Sequence, residues 1–192
     1  MSDITIESFE DVMVEEVSRL LARAFVTNPI NVAAFGTAEL SLSEVFFRGS
    51  LPLMKGTKLV ARDLSRIVGF IHWVNSPGCQ LSEVEKLAML PKLLHHCGVR
   101  RTARISSWLS TWSKHDPDHS HAHLGPIGVD PDFQARGIGR QLMIRYCSEL
   151  DRQKISGYLE TDRENVAFHQ RFGFKVTSER LVLGVRNYFM AR

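Results

Sequence analysis

Two glycines and two arginines lie close together where a predicted strand gives way to a predicted helix. The strand covers residues 124–129, and Arg136, Gly137, Gly139 and Arg140 follow it. The glycines let the backbone approach a ligand, and the first N–H groups of a helix have no internal partners, so they point outward. The arginines and the helix dipole add positive charge. The stretch is therefore predicted to bind a diphosphate, the alternative being a turn that binds nothing.

The spacing of these residues separates three kinds of nucleotide site. A phosphate-binding loop of the ATPase type needs Gly-Lys followed by Ser or Thr, which this stretch lacks. A dinucleotide fingerprint needs a third glycine where Leu142 stands, although Glu160 lies about 20 residues on, where a ribose-binding acid is expected. An NAD(P)-binding oxidoreductase therefore stays open as an alternative. The third form, Gln-x-x-Gly-x-Gly, is present from Gln134 onward.

This third form resembles the acetyl-CoA loop of the GNAT acetyltransferase superfamily, which follows a strand ending in Val-x-Pro. Here the lead-in is Val129, Asp130 and Pro131. Residues 165–174 resemble the family's later helix and its Gly-Phe stop, and residues 187–192 resemble the closing strand of members similar to puromycin N-acetyltransferase. The resemblance covers about the last third of the chain, and the earlier part matches only in the order of its elements.

The resemblance implies a mixed α/β fold of the GNAT-like acyl-CoA N-acyltransferase type, with a mostly antiparallel twisted sheet flanked by helices. It also implies an acetyl-CoA-dependent N-acetyltransferase, with acetyl-CoA as cosubstrate and a primary amine attacking the thioester directly in a ternary complex. A small-molecule amine is the favoured acceptor, and a peptide amine stays open. A catalytically silent CoA-binding sensor or regulatory module is the alternative from another class.

The same resemblance implies which residues hold the cofactor. The strand through Ile127 would offer backbone groups to the pantetheine arm, and the strand over residues 158–161 would splay away to admit it. Asn165 would hydrogen-bond the cofactor chain, with a helix-start cap as the alternative, and Phe168 would line the thioester end. The expected cofactor-binding residues are Ile127, Gly128, Val129, Gln134, Ala135, Arg136, Gly137, Ile138, Gly139, Arg140, Asn165 and Phe168.

Acetyl transfer to an amine needs a proton acceptor for the amine and benefits from a donor to the departing thiolate. His119, His121 and His123 alternate along a predicted strand, so their imidazoles share one face. The arrangement resembles the paired strand histidines of serotonin N-acetyltransferase, in whose register His123 falls. His123 is therefore the expected base or base relay, with His121 behind it and Glu160 as a rival. The alternative is a set of polar residues at the edge of a strand.

His169 is the expected acid, because it stands where the family commonly has a tyrosine. An imidazole can donate a hydrogen bond to sulfur, and its ordinary pKa of about 6.5 allows proton transfer near neutrality. A helix-surface histidine without a catalytic part is the alternative.

The strand histidines, together with His115, Asp116 and Asp118, also offer groups that zinc accepts. The run lies at the entry to a strand, has no cysteine nearby in the sequence and lacks the helical His-Glu-x-x-His spacing. No metal is therefore expected.

Composition indicates one domain over residues 1–192, with a helical insertion at about 80–115 that is interrupted near Gly98. Of the 192 residues, 44% are apolar, enough for a sizeable core.

No apolar run reaches the length of about 18 residues that a membrane span needs. The first residues lack the basic flank and apolar core typical of a secretory signal, and the three cysteines are too scattered for a disulfide frame. We therefore expect a cytoplasmic protein, monomer or homodimer. A net charge of +3 suits a polyanionic cofactor, and neither nucleic acid nor membrane is expected as a partner.

The hydrophobic periodicity places the remaining elements. Asp11 is expected to cap the first helix. The resemblance to the GNAT superfamily implies that a loop over residues 27–42, the insertion and the turn at Gly184 shape the acceptor site. Further expected elements are a strand at residues 4–6, a helix at 41–53, strands at 59–62, 67–74 and 120–129, a helix at 164–172, and strands at 175–183 and 185–190. Phe25, Phe35, Trp73 and Trp108 are candidates for an apolar acceptor pocket, and packing in the core is the alternative for them.

Overall fold

The computed structural model of the protein describes residues 4–79 and 83–192. Its strands are β1 (Ile4–Ser8), β2 (Thr57–Asp63), β3 (Arg66–Asn75), β4 (His121–Val129), β5 (Ser156–Thr161), β6 (Lys175–Val182) and β7 (Val185–Ala191). They form one seven-stranded sheet in the order β1-β2-β3-β4-β5-β7-β6. Neighbouring strands are antiparallel, except that β4 and β5 are parallel. The predicted mixed, mostly antiparallel sheet is confirmed.

Six helices flank this sheet in the described part of the chain. They are α1 (Val14–Phe25), α2 (Pro29–Phe35), α3 (Leu40–Ser50), α4 (Glu83–Ser113), α5 (Ile138–Gln153) and α6 (Arg163–Gln170). Among the described residues, no helix combines the length and the apolar character needed to cross a membrane.

The helices cover both faces of the sheet and create two cores. On one face, α1 to α4 bury residues such as Leu21, Phe46 and Trp108. On the other face, α5 packs Leu142 and Tyr146 against the sheet. These two residues lie four positions apart, on the apolar side of α5 that the helical period predicts. The central strand β3 is buried along almost its whole length because it is covered on both faces.

Two predictions for the amino-terminal part were wrong. Asp11 lies inside a short 3-10 turn that precedes α1, and its side chain caps neither that turn nor the helix. The expected loop over residues 27–42 contains α2. Asn28 caps this helix by accepting a hydrogen bond from the N–H of Ile30 at 3.1 Å, and Gly36 ends it with φ 76°. The pair Asn28 and Pro29 thus ends one helix and starts the next.

Two other helix boundaries follow from proline and glycine. Helix α3 ends at Ser50 and gives way to a 3-10 turn over Leu51–Leu53, so the helix predicted at 41–53 is shorter than expected. Proline in that turn lacks the N–H that a continuing helix needs. Within α4, Gly98 has φ 73° and ψ 167°, which confirms the predicted interruption.

Gly157 in β5 gives the first testable prediction. A Cβ added there would lie 2.6 Å from Cδ1 of Leu150 and 2.9 Å from Cζ of Phe174, both buried. We expect Gly157→Ala to lower the free energy of unfolding by about 1–3 kcal/mol in denaturant titrations, because the core must shift to admit the methyl group.

Gly49 in α3 is the matched control, because an added Cβ there would meet nothing within 4 Å. Gly49→Ala should raise the free energy of unfolding by up to about 1 kcal/mol. Equal effects of the two alanines would contradict the packing argument.

Candidate active site

Strands β4 and β5 pair over a short distance and then separate. Their parallel ladder consists of His121 with Ser156, Ala122 with Gly157, and His123 with Tyr158. Beyond these three pairs, β4 continues to Val129 and β5 to Thr161 without further pairing between them in the described chain. The predicted splay is therefore present. It leaves the edge of β4 that faces β5 open for another extended chain.

A bulge in β4 lies next to this separation. On the side facing β3, Leu124 pairs with Trp73 and Ile127 pairs with Ile71, so that two residues of β4 oppose the single residue His72. These two residues are glycine and proline, and proline in a central strand is tolerated at a bulge.

A single large cavity of about 1170 Å³ runs past this gap. At one end it is lined by the start of α5, including Gly137 and Gly139. At the other end it is lined by helices α1 to α4, including Trp108, and Glu160 of β5 contributes to the lining between them. The cavity therefore connects the predicted diphosphate loop with the opposite face of the sheet.

The loop before α5 has the backbone geometry that an anion site needs. Gly137 has φ 82° and Ala135 has φ 61°, both in the left-handed region. The first hydrogen bond of the helix runs from the N–H of Gln141 to the carbonyl of Gly137. The N–H groups of Ile138 and Gly139 therefore have no intrahelical acceptor and are directed along the helix axis towards the loop.

Of the polar side chains around the loop, two hold the loop in place and one is available to a ligand. Arg136 donates to the backbone carbonyl of Asp132 at 3.0 Å and stacks on Phe133, so it supports the loop. Arg140 is exposed and lines the cavity, where its charge is available to a ligand. Gln134 donates to the carbonyl of Val129 at 3.3 Å, which holds the loop to the end of β4.

The start of α6 forms a second polar edge of the cavity. Asp162 caps the helix by accepting a hydrogen bond from the N–H of Asn165 at 3.0 Å. Asp162, and not Asn165, is therefore the residue that caps α6. Asn165 has an exposed side chain and lines the cavity. Asp162 also accepts a hydrogen bond from Nδ2 of Asn28 at 2.8 Å. Phe168 lies within 3.5 Å of the place where a Cβ at Gly139 would be, so it joins α6 to the diphosphate loop.

His123 lies between two carboxylates. Its Nε2 is 2.8 Å from Oε2 of Glu160, and its Nδ1 is 3.1 Å from Oδ1 of Asp116, an ion-pair distance without hydrogen-bond geometry. The Glu160 side chain is only 1% exposed, and its Oε1 makes no hydrogen bond with the described residues. His123 and Glu160, the two candidates for the role of base, therefore form one hydrogen-bonded pair.

The charges around His123 determine its protonation. Burial disfavours the charged ring and by itself would lower the pKa of His123. The charge of Glu160 and the side chains of Asp116 and Cys79 together have a larger and opposite effect, so the pKa of His123 lies well above its ordinary value. Both ring nitrogens face protein partners, and the imidazole has no nitrogen left for a substrate.

His169 lies on α6 and is buried against Phe168 and Phe174. Burial lowers its pKa to about 4, although the charge of Asp162 acts in the opposite direction. The ring is therefore neutral at physiological pH. It can donate a hydrogen bond to a sulfur atom, but it does not carry the extra proton of an acid.

His72, in the middle of β3, is a residue beside the site that the sequence does not predict. Its Nε2 is 2.5 Å from the carbonyl of Lys55, and burial lowers its pKa to about 4. Its Nδ1 packs against the backbone of Gly125, since a Cβ there would approach it to 2.3 Å. A single histidine within the run Phe-Ile-His-Trp-Val gives no signal of this contact, because the contact depends on the bulge in the neighbouring strand.

The aromatic residues expected around an acceptor divide into two groups. Phe25 and Trp108 line the cavity, whereas Phe35 and Trp73 do not and are buried in the two cores. The cavity wall is completed by Phe46 and Trp112. For Phe35 and Trp73 the alternative of core packing therefore holds, because the face of an element that an aromatic side chain occupies depends on packing.

An open strand edge can accept a further extended chain, and a helix start beside it can bind an anion. The sequence profile of the acetyltransferase (GNAT) family matches residues 35–174 of the chain. The chain belongs to this family.

Individual sequence relatives match over shorter stretches. Mycothiol acetyltransferase of Propionibacterium freudenreichii is 41% identical over 56 residues, which are 27% of this chain and 18% of that protein. Ribosomal protein bS18-alanine N-acetyltransferase of Salmonella typhimurium is 38% identical over 72 residues, which are 35% of this chain and 45% of that protein. The chain thus spans less than half the length of each of these two relatives.

Solved structures share the fold over the whole chain. A Corynebacterium glutamicum protein described as histone acetyltransferase HPA2 and related acetyltransferase has a TM-score of 0.71 and 18% identity, covering 100% of this chain and 96% of its own. Polyamine N-acetyltransferase of Drosophila melanogaster has a TM-score of 0.68 and 17% identity, covering 99% of both chains. A Brucella melitensis GNAT acetyltransferase in complex with acetyl-CoA has a TM-score of 0.56 and 15% identity, covering 100% of this chain and 88% of its own.

The buried state of His169 makes stability depend on pH. Its pKa is about 4 in the folded chain and about 6.5 when unfolded, so the unfolded state binds more protons between these values. The contribution of the neutral ring is fully present above pH about 6.5 and decreases as the pH falls towards 4. In His169→Gln, the free energy of unfolding should fall less between pH about 6.5 and pH about 4, by up to about 3 kcal/mol. Denaturant titrations at several pH values in this range measure the difference.

His119→Gln is the control, because His119 is exposed. It should leave the pH dependence of the unfolding free energy as it is in the unaltered protein. If His169→Gln and His119→Gln gave the same dependence, His169 would not be held neutral by burial.

Proposed function

We propose that the chain is an acetyl-CoA-dependent N-acetyltransferase that transfers the acetyl group directly to a primary amine within a ternary complex. The observation that carries the proposal is the cavity at the gap between β4 and β5. The diphosphate loop lies at one end of this cavity, an aromatic wall lies at the other, and a buried carboxylate lines it between them. Membership of the GNAT family supports the same activity.

In this proposal, the cofactor lies along the open edge of β4. The N–H groups of Gly137, Ile138 and Gly139 bind the pyrophosphate, and Arg140 adds charge. The pantetheine arm hydrogen-bonds to the backbone of Ile127, Gly128 and Val129 in the manner of an added strand. Asn165 and Phe168 close the arm from the side of α6.

The proton of the amine goes to the pair formed by His123 and Glu160, and the carboxylate is the direct acceptor. His72 and His169 have pKa values of about 4, so they hold a proton too weakly at neutral pH. His123 has both nitrogens against carboxylates. Glu160 has an oxygen without a hydrogen bond to the described residues, and it lines the cavity. His123 then orients the carboxylate through the bond at 2.8 Å.

The transfer itself is a single exchange of bonds. The nitrogen lone pair attacks the thioester carbonyl, the new C–N bond forms, and the C–S bond breaks with its electrons going to sulfur. The neutral ring of His169 can donate a hydrogen bond to the leaving thiolate. Cys147 does not serve as an acyl carrier in this scheme, because it is buried on α5 and burial raises its pKa.

The acceptor end of the cavity favours a small amine with an apolar body. Phe25, Phe46 and Trp108 contribute apolar wall, and Trp112 completes it. The Nε1 of Trp112 donates to Oδ1 of Asn187 at 3.2 Å, so the indole needs no partner from a ligand.

The three cysteines are free among the described residues, which fits the cytoplasmic location expected from the sequence.

Cofactor binding can be tested at Gly139. A Cβ there would lie 3.5 Å from Phe168 and 3.6 Å from Val129, so the free fold admits it, but valine would extend into the expected pyrophosphate site. We expect Gly139→Val to weaken acetyl-CoA binding at least about tenfold in isothermal calorimetry, because bonds to a charged group contribute roughly 1.5–3 kcal/mol.

Gly49→Val is the matched control, since it also introduces valine into a helix where an added Cβ meets nothing within 4 Å, and it lies outside the cavity lining. It should bind acetyl-CoA with unchanged affinity. Unchanged affinity in Gly139→Val, with a normal unfolding transition, would refute the proposed cofactor position.

Catalysis can be tested at Glu160. We expect Glu160→Gln to lower kcat by about 10²–10⁴-fold, the usual contribution of a general base. Affinity for acetyl-CoA should stay the same, because the proposed pyrophosphate contacts are elsewhere. The measurement is thiol release over a panel of amines.

Glu179→Gln, which removes an exposed carboxylate on β6, should retain full activity. Two results would count against the proposal in different ways. Full activity of Glu160→Gln would remove this residue from catalysis. Acetyl-CoA binding by the unaltered protein without thiol release to any amine would favour the regulatory module.

A further inference from the structure

Four potential metal ligands from three separate segments meet behind Glu160. Cys79 follows β3, Asp116 follows α4, and His121 and His123 lie on β4. One donor atom from each of these residues lies within 4.8 Å of the corresponding atoms of the others. His115, Asp118 and His119, which the sequence also offered as ligands, do not belong to this group. No cysteine is near the histidines in the sequence, and Cys79 reaches them from a distant part of the chain.

The hydrogen bonds of both imidazoles direct a ring nitrogen into the group. Nδ1 of His121 lies 2.8 Å from the carbonyl of His119, which can only accept, so Nδ1 carries the proton and Nε2 has the lone pair. This Nε2 faces Sγ of Cys79 at 3.5 Å. Likewise, Nε2 of His123 bonds to Glu160 at 2.8 Å, which leaves Nδ1 facing the group. A histidine whose outer N–H is held by a carbonyl or carboxylate is the usual arrangement around protein-bound zinc.

The spacing of the four groups fits a tetrahedral ion. Zinc bonds of about 2.0–2.3 Å correspond to distances of about 3.3–3.8 Å between ligand atoms in a tetrahedron. Sγ of Cys79 lies 3.5 Å from Nε2 of His121, and Nδ1 of His123 lies 3.1 Å from Oδ1 of Asp116. The widest separation of 4.8 Å therefore requires a modest contraction on binding.

The segments that carry the ligands are fixed to one another, and the group can be reached from outside. Ser76 accepts a hydrogen bond from the N–H of His121 at 3.0 Å and donates its own N–H to the carbonyl of His121 at 2.8 Å. These bonds hold the turn that carries Cys79 against β4. A second cavity of about 430 Å³ is lined by Cys79, Asp116 and His121. An ion can enter through it without passing the acetyl-CoA pocket.

We propose that Cys79, Asp116, His121 and His123 bind one zinc ion. On binding, the ion replaces the extra proton that the carboxylates hold on His123, and this proton is released to solvent. A thiolate, a carboxylate and two imidazoles that are then neutral form a ligand set that balances the charge of Zn²⁺, and the mixture of sulfur and nitrogen ligands suits this metal. The ion joins the turn after β3 and the segment after α4 to β4. It also fixes the ring of His123, and through this ring it positions Glu160. This last effect rests on the proposed function, whereas the metal site itself does not.

Cobalt and zinc titrations of the full-length protein, stripped of metal with a chelator, test the site directly. We expect Co²⁺ to bind at one ion per chain, with the visible bands of a tetrahedral ion and a near-ultraviolet band from thiolate ligation. Zn²⁺ should displace it. Cys79→Ser should lose the thiolate band, and both Cys79→Ser and His121→Gln should bind at least about tenfold more weakly, as expected for loss of a direct ligand. His119→Gln, a neighbour outside the group, should bind as the unaltered protein does.

A measurement on the unaltered protein covers the case in which the substituted chains fail to fold. Zinc should slow alkylation of Cys79 and raise the midpoint of thermal unfolding. The proposal is overturned if the unaltered protein binds no cobalt or zinc at stoichiometric levels. It is also overturned if folded Cys79→Ser retains both the affinity and the thiolate band. Neither measurement needs acetyl-CoA, so a failure of the acetyltransferase proposal would give a separate result.

Discussion

The early end of the ladder between β4 and β5 is the constraint on which the site depends. Backbone N–H and C=O groups inside a protein require partners, and a strand in the middle of a sheet normally finds them on both sides. Beyond His123, β4 has its partner β3 on one side and an open gap towards β5 on the other. The fold therefore keeps an unfilled strand position near its centre, between the two cores that lie on either face of the sheet.

Three buried histidines around the gap show how strongly the surroundings determine the charge of a side chain. His72 and His169 lie among apolar groups and backbone, and desolvation lowers both pKa values to about 4. His123 is buried to a similar extent, but its two carboxylate neighbours reverse the direction of the shift. Residue type alone would give all three the same role. Their neighbours separate them into two neutral rings and one ring that orients a carboxylate.

The sequence predicts the carboxyl half well because its signals are local. The glycines before α5, the apolar period of that helix and the turn at Gly184 each determine a boundary within a few residues. Features that depend on distant residues could not be predicted. Helix α2 is not predicted, because Asn28 and Pro29 are equally suited to end one helix and to start the next. The approach of Cys79 to His121 depends on the pairing of β3 with β4, and the contact of His72 with Gly125 depends on a bulge. Strand register determines such contacts, and periodicity does not reveal it.

The side chain of Asn28 takes part in two helix starts at once. Its oxygen caps α2, and its amide nitrogen donates to Asp162, which caps α6. These helices lie on opposite faces of the sheet, one beside the acceptor wall and the other beside the expected cofactor arm. Moving α6 away from α2 would break the bond that joins their caps. One amide side chain thus ties together the two helix starts that border the proposed acceptor and cofactor sites, so that neither start can shift away from the other without losing a hydrogen bond.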